Sequence, residues 1–232
     1  KPKVSLNFFT GFSQITRKLG VLNATQWRQV IIDSYANLDR YNNATTPTEP
    51  HWTAIDSLNP MNSGDVDWQS VMYRTAMQNQ IELSVQGGSQ DAKYAFSTSY
   101  LDQDGIFLAS NYRRITSRLN TDFKVSKKLT IGQNISFTNG VNNRINAGGT
   151  GNLSLVQSIL VRPPVYSLTY PDGSPIYYFN GKRNPVGMAE ECTHLNTVNR
   201  VIGNQYLEYN IIEGLMFRTN LSIDFTSMKE YE

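Results

Sequence analysis

The sequence has little of the residue chemistry on which most enzymes and disulfide-rich domains depend. Its 232 residues include one cysteine, Cys192, and two histidines, which excludes an internal disulfide framework and a cysteine-based zinc site. Charged residues make up 17% of the chain, against about 25% in an average soluble domain. The net charge of +2 gives no indication of a surface that binds nucleic acid.

Segments that target or anchor a chain are also missing from this sequence. No run approaches 18 consecutive apolar residues, so no transmembrane helix is encoded. The chain opens with Lys1-Pro2-Lys3, without an initiator Met or a hydrophobic leader. We therefore expect no signal peptide within these residues and a start that is processed or truncated.

What the sequence does contain is a strong alternation with a period of two. Ile81, Leu83 and Val85, for example, alternate with Glu82 and Ser84, as in a strand with one apolar and one polar face. The same pattern predicts seven strands, near residues 4–12, 79–87, 92–101, 112–125, 128–138, 198–211 and 215–225.

The predicted connections alternate between short and long. Short hairpin turns join three strand pairs, and the longer loops lie near residues 13–77, 101–111 and 139–197. This wiring is typical of an up-and-down antiparallel meander with all its long loops at one rim. The first long loop contains a helix capped by Asn23, and a second short helix is predicted from Leu153 to Val161, before Pro163-Pro164.

Alternation alone does not show which face is buried. A soluble β-sandwich that binds carbohydrate would bury the apolar face, whereas a membrane barrel would turn it toward lipid. The predicted strand lengths suit a bilayer crossing, and Tyr94, Tyr100 and Tyr112 lie near strand ends, where an aromatic girdle is expected. We therefore favour an all-β, partial transmembrane antiparallel up-and-down β-barrel with long extracellular loops carrying a short helix. Because seven is an odd number and open edges are not tolerated in lipid, we expect these strands to belong to a larger barrel.

Specific residues then carry a family resemblance. The chain resembles the early barrel of the SusC/RagA family of TonB-dependent outer-membrane transporters of Bacteroidetes. The similarity covers nearly the whole chain, and its motifs are Asp67-Trp68-Gln69, Tyr73-Arg74-Thr75-Ala76, Met77-Gln78-Asn79, Leu83-Ser84-Val85-Gln86-Gly87-Gly88, Tyr100-Leu101-Asp102-Gln103-Asp104-Gly105-Ile106 and Asn184-Pro185.

The resemblance implies that residues 1–232 form part of a roughly 22-stranded barrel in the cell outer membrane, without the plug domain that fills such barrels. It also implies import of glycans, oligosaccharides or peptides together with a SusD-like surface lipoprotein. The TonB–ExbB–ExbD complex would supply energy through parts outside this chain, and transporter–lid pairs would form homodimers. Outer-membrane lipid is the expected surroundings of the barrel.

No constellation of a nucleophile, a base or a metal ligand set is present, so we predict no enzyme activity, cofactor or metal. Aromatic residues of the long loops are candidates for contact with a substrate or partner, with packing of the loops as the alternative: Trp52, Tyr166, Tyr170, Tyr177, Tyr178 and Phe179. Charged residues on the polar face are candidates for lining a lumen, where they pair either with a plug or with adjacent strands: Arg114, Arg118, Asp122, Arg218 and Asp224.

Overall fold

A computed structural model describes residues 1–48, 64–144, 154–179, 182–192 and 194–231. Seven strands pair in sequence order into one antiparallel sheet, and two short strands form a separate hairpin, β6 (Tyr178–Phe179) with β7 (Lys182–Arg183). The predicted fold class is thereby confirmed as far as the open sheet goes. The strands of the sheet are β1 (Lys3–Ser13), β2 (Ala76–Gly88), β3 (Ala92–Asp104), β4 (Asn111–Lys124), β5 (Leu129–Asn143), β8 (Leu195–Ile212) and β9 (Leu215–Tyr231).

All seven strands extend beyond the predicted ranges at the end that carries the long connections. Strand β5, for example, continues to Asn143 and pairs there with Leu195 of β8, which pairs in turn with Tyr231 of β9. Several of these extensions, such as residues 102–104 of β3 and 142–143 of β5, are polar on both faces, so they lack the alternation that marks the strands elsewhere. Backbone pairing therefore continues where the side-chain pattern stops.

The strand register collects the apolar side chains on one face of the sheet. Leu6, Leu83, Thr98 and Ser117 lie in one row across β1 to β4, and the next rows add aromatic and aliphatic residues. Tyr94 and Tyr100 lie on this apolar face. Tyr112 does not, because its partner Asn142 and its neighbour Arg114 belong to the polar face, so its assignment to an aromatic girdle is wrong.

No layer of the described residues covers the apolar face. Leu221 is 74% exposed and Phe8 is 68% exposed, although both lie on the side of the sheet where a soluble sandwich would have its core. A seven-stranded sheet cannot leave such a surface in water without aggregating. The soluble β-sandwich alternative is therefore not supported.

The apolar face also carries a band without charge. Its charged residues within the sheet, Asp102, Asp104, Arg113 and Lys229, all lie toward the end with the long connections. Below them, the nine-residue stretch of β4 from Ile115 to Phe123 places no charged side chain on this face. That length matches the roughly 9–11 residues that a tilted strand needs to cross a bilayer.

Four helices lie in the described parts of the long connections. Helix α1 (Ala24–Asn42) begins at Asn23, whose side chain forms the predicted capping box with Gln26. The short helices are α2 (Trp68–Met72), α3 (Leu155–Val161) and α4 (Pro185–Glu190). No helix in the described residues is long and apolar enough to span a membrane.

The buried core lies beside the long-connection rim rather than against the sheet. Helices α2, α3 and α4, residues 163–177, the β6–β7 hairpin and residues 105–110 pack together, and we call this unit the loop cap. Its core consists of seven buried residues: Trp68, Met72, Leu155, Ile159, Ile176, Phe179 and Ala189.

Candidate functional site: polar face and loop cap

The five charged residues predicted to line a lumen lie on the polar face of the sheet. Arg118 of β4 shares a row with Asp224 of β9, through Ser136 and Ile202. Asp122 and Arg218 lie nearer the short turns, and Arg114 lies nearer the long loops. The structure therefore brings all five to one surface, opposite the apolar band.

Charges on the β8–β9 side of this surface are paired between strands. Arg200 donates two hydrogen bonds to Asp224, with N–O distances of 3.0 and 2.6 Å. Arg218 lies 3.1 Å from Glu208. Pairing with adjacent strands, which the sequence left open, is thus the outcome for Arg218 and Asp224.

A tyrosine organises the short-turn end of the polar face. Tyr206 lies across Gly132, and a Cβ added to Gly132 would meet the Tyr206 ring at 2.2 Å. The ring reaches over this glycine so that its hydroxyl donates to Asp122, while the Arg218 guanidinium lies 4.7 Å from the ring centroid. Sequence reasoning missed Tyr206, Arg200 and Glu208, although all three have the even spacing along β8 that places them on this face.

The Asp67-Trp68-Gln69 motif connects helix α2 to two other segments, residue 163 of the loop cap and residue 19 of the first long connection. The Asp67 carboxylate caps α2 by accepting from the backbone N–H groups of Gln69 and Ser70. The Trp68 indole N–H donates to the Pro163 carbonyl at 3.1 Å. The buried Gln69 amide accepts from Leu19 N–H and donates to Leu19 C=O, at 2.9 and 2.8 Å. This is the pair of hydrogen bonds that the backbone of a neighbouring β-strand would form. Burial opposes ionisation of Asp67, but hydrogen bonds from Ser70 and Lys18 outweigh it and hold its pKa below the ordinary value.

The next motif residues clamp the connection between β3 and β4. Arg74 donates to the carbonyls of Gly105 and Ser110, at 3.1 and 2.8 Å, and lies 3.2 Å from Asp104. A Cβ on Gly105 would displace the Ser110 hydroxyl, which donates to the Phe107 carbonyl at 2.8 Å. These motif residues therefore have structural roles.

Asn184-Pro185 performs the same kind of task at α4. Asn184 is fully buried, its Oδ1 accepts from Gly187 N–H at 2.7 Å, and its amide donates to the Ile176 carbonyl. Pro185 occupies the first helical position, where its missing N–H costs nothing. An N-cap followed by proline is a signal that could have predicted this helix.

Two of the six loop aromatics pack in or against the core of the loop cap. Phe179 is 4% exposed and packs against the edge of Trp68, while the Tyr166 ring stacks on Phe179 with centroids 4.1 Å apart. The prediction of Phe179 as a contact residue is therefore wrong, because its ring is inside the cap. Tyr166 is half-buried and has a packing role, and Trp52 lies outside the described residues.

The remaining aromatics lie on the cap surface. Tyr177 donates its hydroxyl to Glu190 at 2.5 Å, and Tyr178 donates to Glu191 at 2.8 Å; these hydrogen bonds raise the pKa of both phenols. Glu191 also accepts from Arg183, and these two donors lower its pKa. The two hydroxyls are thus held by carboxylates at the C-terminal end of α4, which fixes both rings. Tyr170 is exposed in the turn formed by residues 170–174.

Three proteins of similar sequence are all TonB-dependent receptors. The chain is 28% identical over 228 residues to TonB-dependent receptor P39 of Formosa agariphila, covering 98% of this chain and 20% of that protein. It is 31% identical to TonB-dependent receptor P3 of the same organism, covering 67% of this chain and 16% of that one. TonB-dependent receptor SusC of Bacteroides thetaiotaomicron is 28% identical over 185 residues, covering 78% of this chain and 16% of SusC.

Solved structures share the fold. The RagAB peptide transporter superposes with a TM-score of 0.77 at 18% identity, over 99% of this chain and 28% of that one. The open-open state of the RagAB peptide importer gives a TM-score of 0.73 over the same shares. No family model matches the chain.

The chain spans 16–22% of the length of the curated relatives that it matches. Those relatives are receptors, and the solved structures are a transporter and an importer, in agreement with the prediction that the chain has no catalytic step. TonB-dependent receptors reside in the outer membrane, which confirms the predicted location. The uncovered apolar face, the meander and these relatives together show that the chain belongs to the SusC/RagA-type TonB-dependent receptors and corresponds to a segment of their β-barrel.

Proposed function

We propose that this chain forms part of the wall and outer rim of a transporter that imports glycans, oligosaccharides or peptides across the outer membrane. The observation that carries the proposal is the sheet with two different faces, in which a charge-free apolar band lies directly behind a predominantly polar surface. In a closed barrel, the first faces lipid and the second faces a water-filled lumen. The name of the RagAB peptide transporter supports peptides as a cargo class, and glycans and oligosaccharides follow from the family resemblance.

We assign the loop cap to the cell exterior. It lies at the end of the sheet that carries the long connections, and barrels of this kind have long extracellular loops and short periplasmic turns. A SusD-like surface lipoprotein is the proposed lid at this rim. Tyr170 and Tyr178, which remain exposed on the cap, are the residues of this chain that we propose as contacts for lid or substrate. Energy from TonB–ExbB–ExbD would enter through other parts of the receptor.

Cysteine labelling tests the orientation. In the receptor that contains this chain, with Cys192→Ser as background, Pro171→Cys places a thiol in the cap and Lys127→Cys places one in the β4–β5 turn. Both positions are exposed. A membrane-impermeant maleimide should label Pro171→Cys in intact cells and Lys127→Cys only after the outer membrane is permeabilised. Labelling of Lys127→Cys alone in intact cells would reverse the orientation.

Uptake tests the activity. Cells that lack the receptor and cells with it restored are grown on mixed oligosaccharides and peptides, and depletion of the medium is followed by mass spectrometry. We expect a set of compounds that only the restored cells consume, and this consumption should stop when TonB is removed. Identical depletion by both strains contradicts import by this receptor.

A further inference from the structure

We infer that the β1–β4 part of the polar face is a cationic stripe that selects anionic substrates, with carboxylate, sulfate or phosphate groups. This inference rests on the proposed function, because it takes the polar face as the lumen wall. The cationic stripe consists of five residues whose side chains lie on that face: Lys3, Lys93, Arg114, Arg118 and Lys124.

The cations of the stripe form no ion pair within the described part of the chain, although Lys93 lies directly across from Asp122. Two carboxylates lie on the same part of the polar face, Glu82 and Asp122, and Asp122 already accepts the Tyr206 hydroxyl. No ion pair within 4.0 Å joins either carboxylate to a residue of the stripe among the described residues. Positive charge is therefore in excess here.

The other part of the same face provides the contrast. On β8 and β9, every charged side chain of the polar face is in an ion pair: Arg200 with Asp224, Arg218 with Glu208, and Glu230 with Arg144, which follows β5. The excess of cations is thus a property of β1–β4, and the sheet elsewhere compensates its own charges.

The residues beside the two arginines explain why they remain unpaired. Arg118 has Ser97 and Ser136 directly across from it, and Arg114 has Leu101 and Gly140. None of these four residues can neutralise a guanidinium. Since the arginines are four residues apart on one strand, their Cα atoms are separated by about 13 Å along it.

The stripe continues to the short-turn end of the sheet. There Lys1, Lys3 and Lys93 border an open hollow of about 460 Å³, together with Asn120 and Asp122. Cations therefore follow the polar face from the long-loop side to the side of the short turns. Guanidinium groups bind carboxylates and phosphates through paired hydrogen bonds, and a lumen lined by one sign of charge concentrates ions of the opposite sign.

Charged thiol reagents test the stripe without knowledge of the natural substrate. Ser97→Cys places a thiol opposite Arg118, and the matched control, Thr226→Cys, places one opposite Arg200, whose charge Asp224 compensates. Both are made in the full receptor with Cys192→Ser, in outer membranes. The probes are an anionic sulfonatoethyl and a cationic trimethylammonioethyl methanethiosulfonate, and the result is the ratio of their rate constants.

We expect the anionic-to-cationic ratio at Ser97→Cys to exceed that at Thr226→Cys by about tenfold. Arg114→Gln with Arg118→Gln should remove the excess, whereas Arg118→Lys should keep most of it. If the double variant does not reach the outer membrane, Arg118→Gln alone should lower the ratio.

Three results would overturn the inference or its basis. Equal ratios at the two positions mean that the cations are neutralised elsewhere in the receptor. A Ser97→Cys thiol that reacts with neither reagent, beside a reactive Thr226→Cys, means that acidic side chains of another receptor domain cover the stripe. If neither thiol reacts, the polar face is not in water, and the proposed function fails with the inference.

Discussion

The sheet and the loop cap are stabilised in opposite ways. The cap buries seven residues in its own core, with Met72 and Leu155 at most 1% exposed. The sheet has backbone pairing along seven strands but buries almost none of its apolar face. One region is therefore packed as a soluble domain is, and the other depends on an apolar medium outside the chain.

This difference shows which residues need a specific identity and which need only a given polarity. The motif residues Asp67, Gln69, Arg74 and Asn184 fasten the cap through specific hydrogen bonds. The apolar face, in contrast, needs only a pattern of apolar side chains. Substitutions in the cap should consequently depend on the identity of each residue, and those on the apolar face on polarity.

The largest effect is expected from Trp68→Ala in the cap. It removes an indole that is 2% exposed, together with its edge contact to Phe179 and its hydrogen bond to Pro163. We expect a loss of about 3–5 kcal/mol of cap stability, seen as faster hydrogen exchange in residues 154–190 and unchanged exchange in β3 and β4. Equal acceleration in the strands would show that cap and sheet are one cooperative unit.

On the sheet, Leu83→Arg tests polarity against its neighbour Ser84→Arg. Leu83 lies within the charge-free band, whereas Ser84 lies on the polar face. Leu83→Arg should cost about 2–4 kcal/mol in a bilayer, measured by urea unfolding of the receptor in lipid vesicles. Ser84→Arg should unfold near the wild-type midpoint, and a larger loss for Ser84→Arg would reverse the assignment of the faces.

Gly132→Ala examines a place where a side chain of the sheet packs closely over its backbone. The added methyl group would overlap the Tyr206 ring, displacing it from Asp122 at a cost of about 1–3 kcal/mol. In the Tyr206→Ser background the same substitution should be nearly neutral, and this double-mutant cycle is the measurement. Additive costs would mean that the ring does not occupy the space above Gly132.

The smallest effect concerns the cap surface at low pH. Hydrogen bonds from Tyr178 and Arg183 lower the pKa of Glu191 below 4.5, so its carboxylate stabilises the cap above that pH. This contribution is lost as the pH falls through the lowered pKa. Thermal unfolding of the cap between pH 6 and 3 should show a smaller acid-induced loss in Glu191→Gln than in the wild type, and an identical loss would exclude this contribution.

Most of the sheet could be predicted from the sequence because its side chains alternate. Ile81, Leu83 and Val85 indicate both a strand and its apolar face, and Asn23 indicates the start of α1. Prediction failed where alternation stops, as in the polar extension of β5 to Asn143, and where one aromatic was assigned without its register, as at Tyr112.

The cap could be predicted only in part. Its core joins residues more than 100 positions apart, such as Trp68 and Phe179. Of its three short helices, α3 was predicted, whereas α2 and α4, with five and six residues, are too short to produce a periodic signal. Asn184-Pro185 is a helix-start signal that the sequence-based prediction missed, and nothing local indicated that Phe179 is buried while Tyr178 is exposed. The ion pairs of the polar face likewise required the strand register.

The central claim, that the apolar face of the sheet contacts lipid and the polar face contacts water, is tested most directly by spin labels along β4. Nitroxides are placed singly at residues 115–123 of the receptor in lipid vesicles, and collisions with oxygen and with a water-soluble nickel chelate are measured. Oxygen accessibility should peak at the odd positions, including Ile115 and Leu119, and nickel accessibility at the even positions, including Arg118. Nickel maxima at the odd positions, or no alternation, would contradict the account.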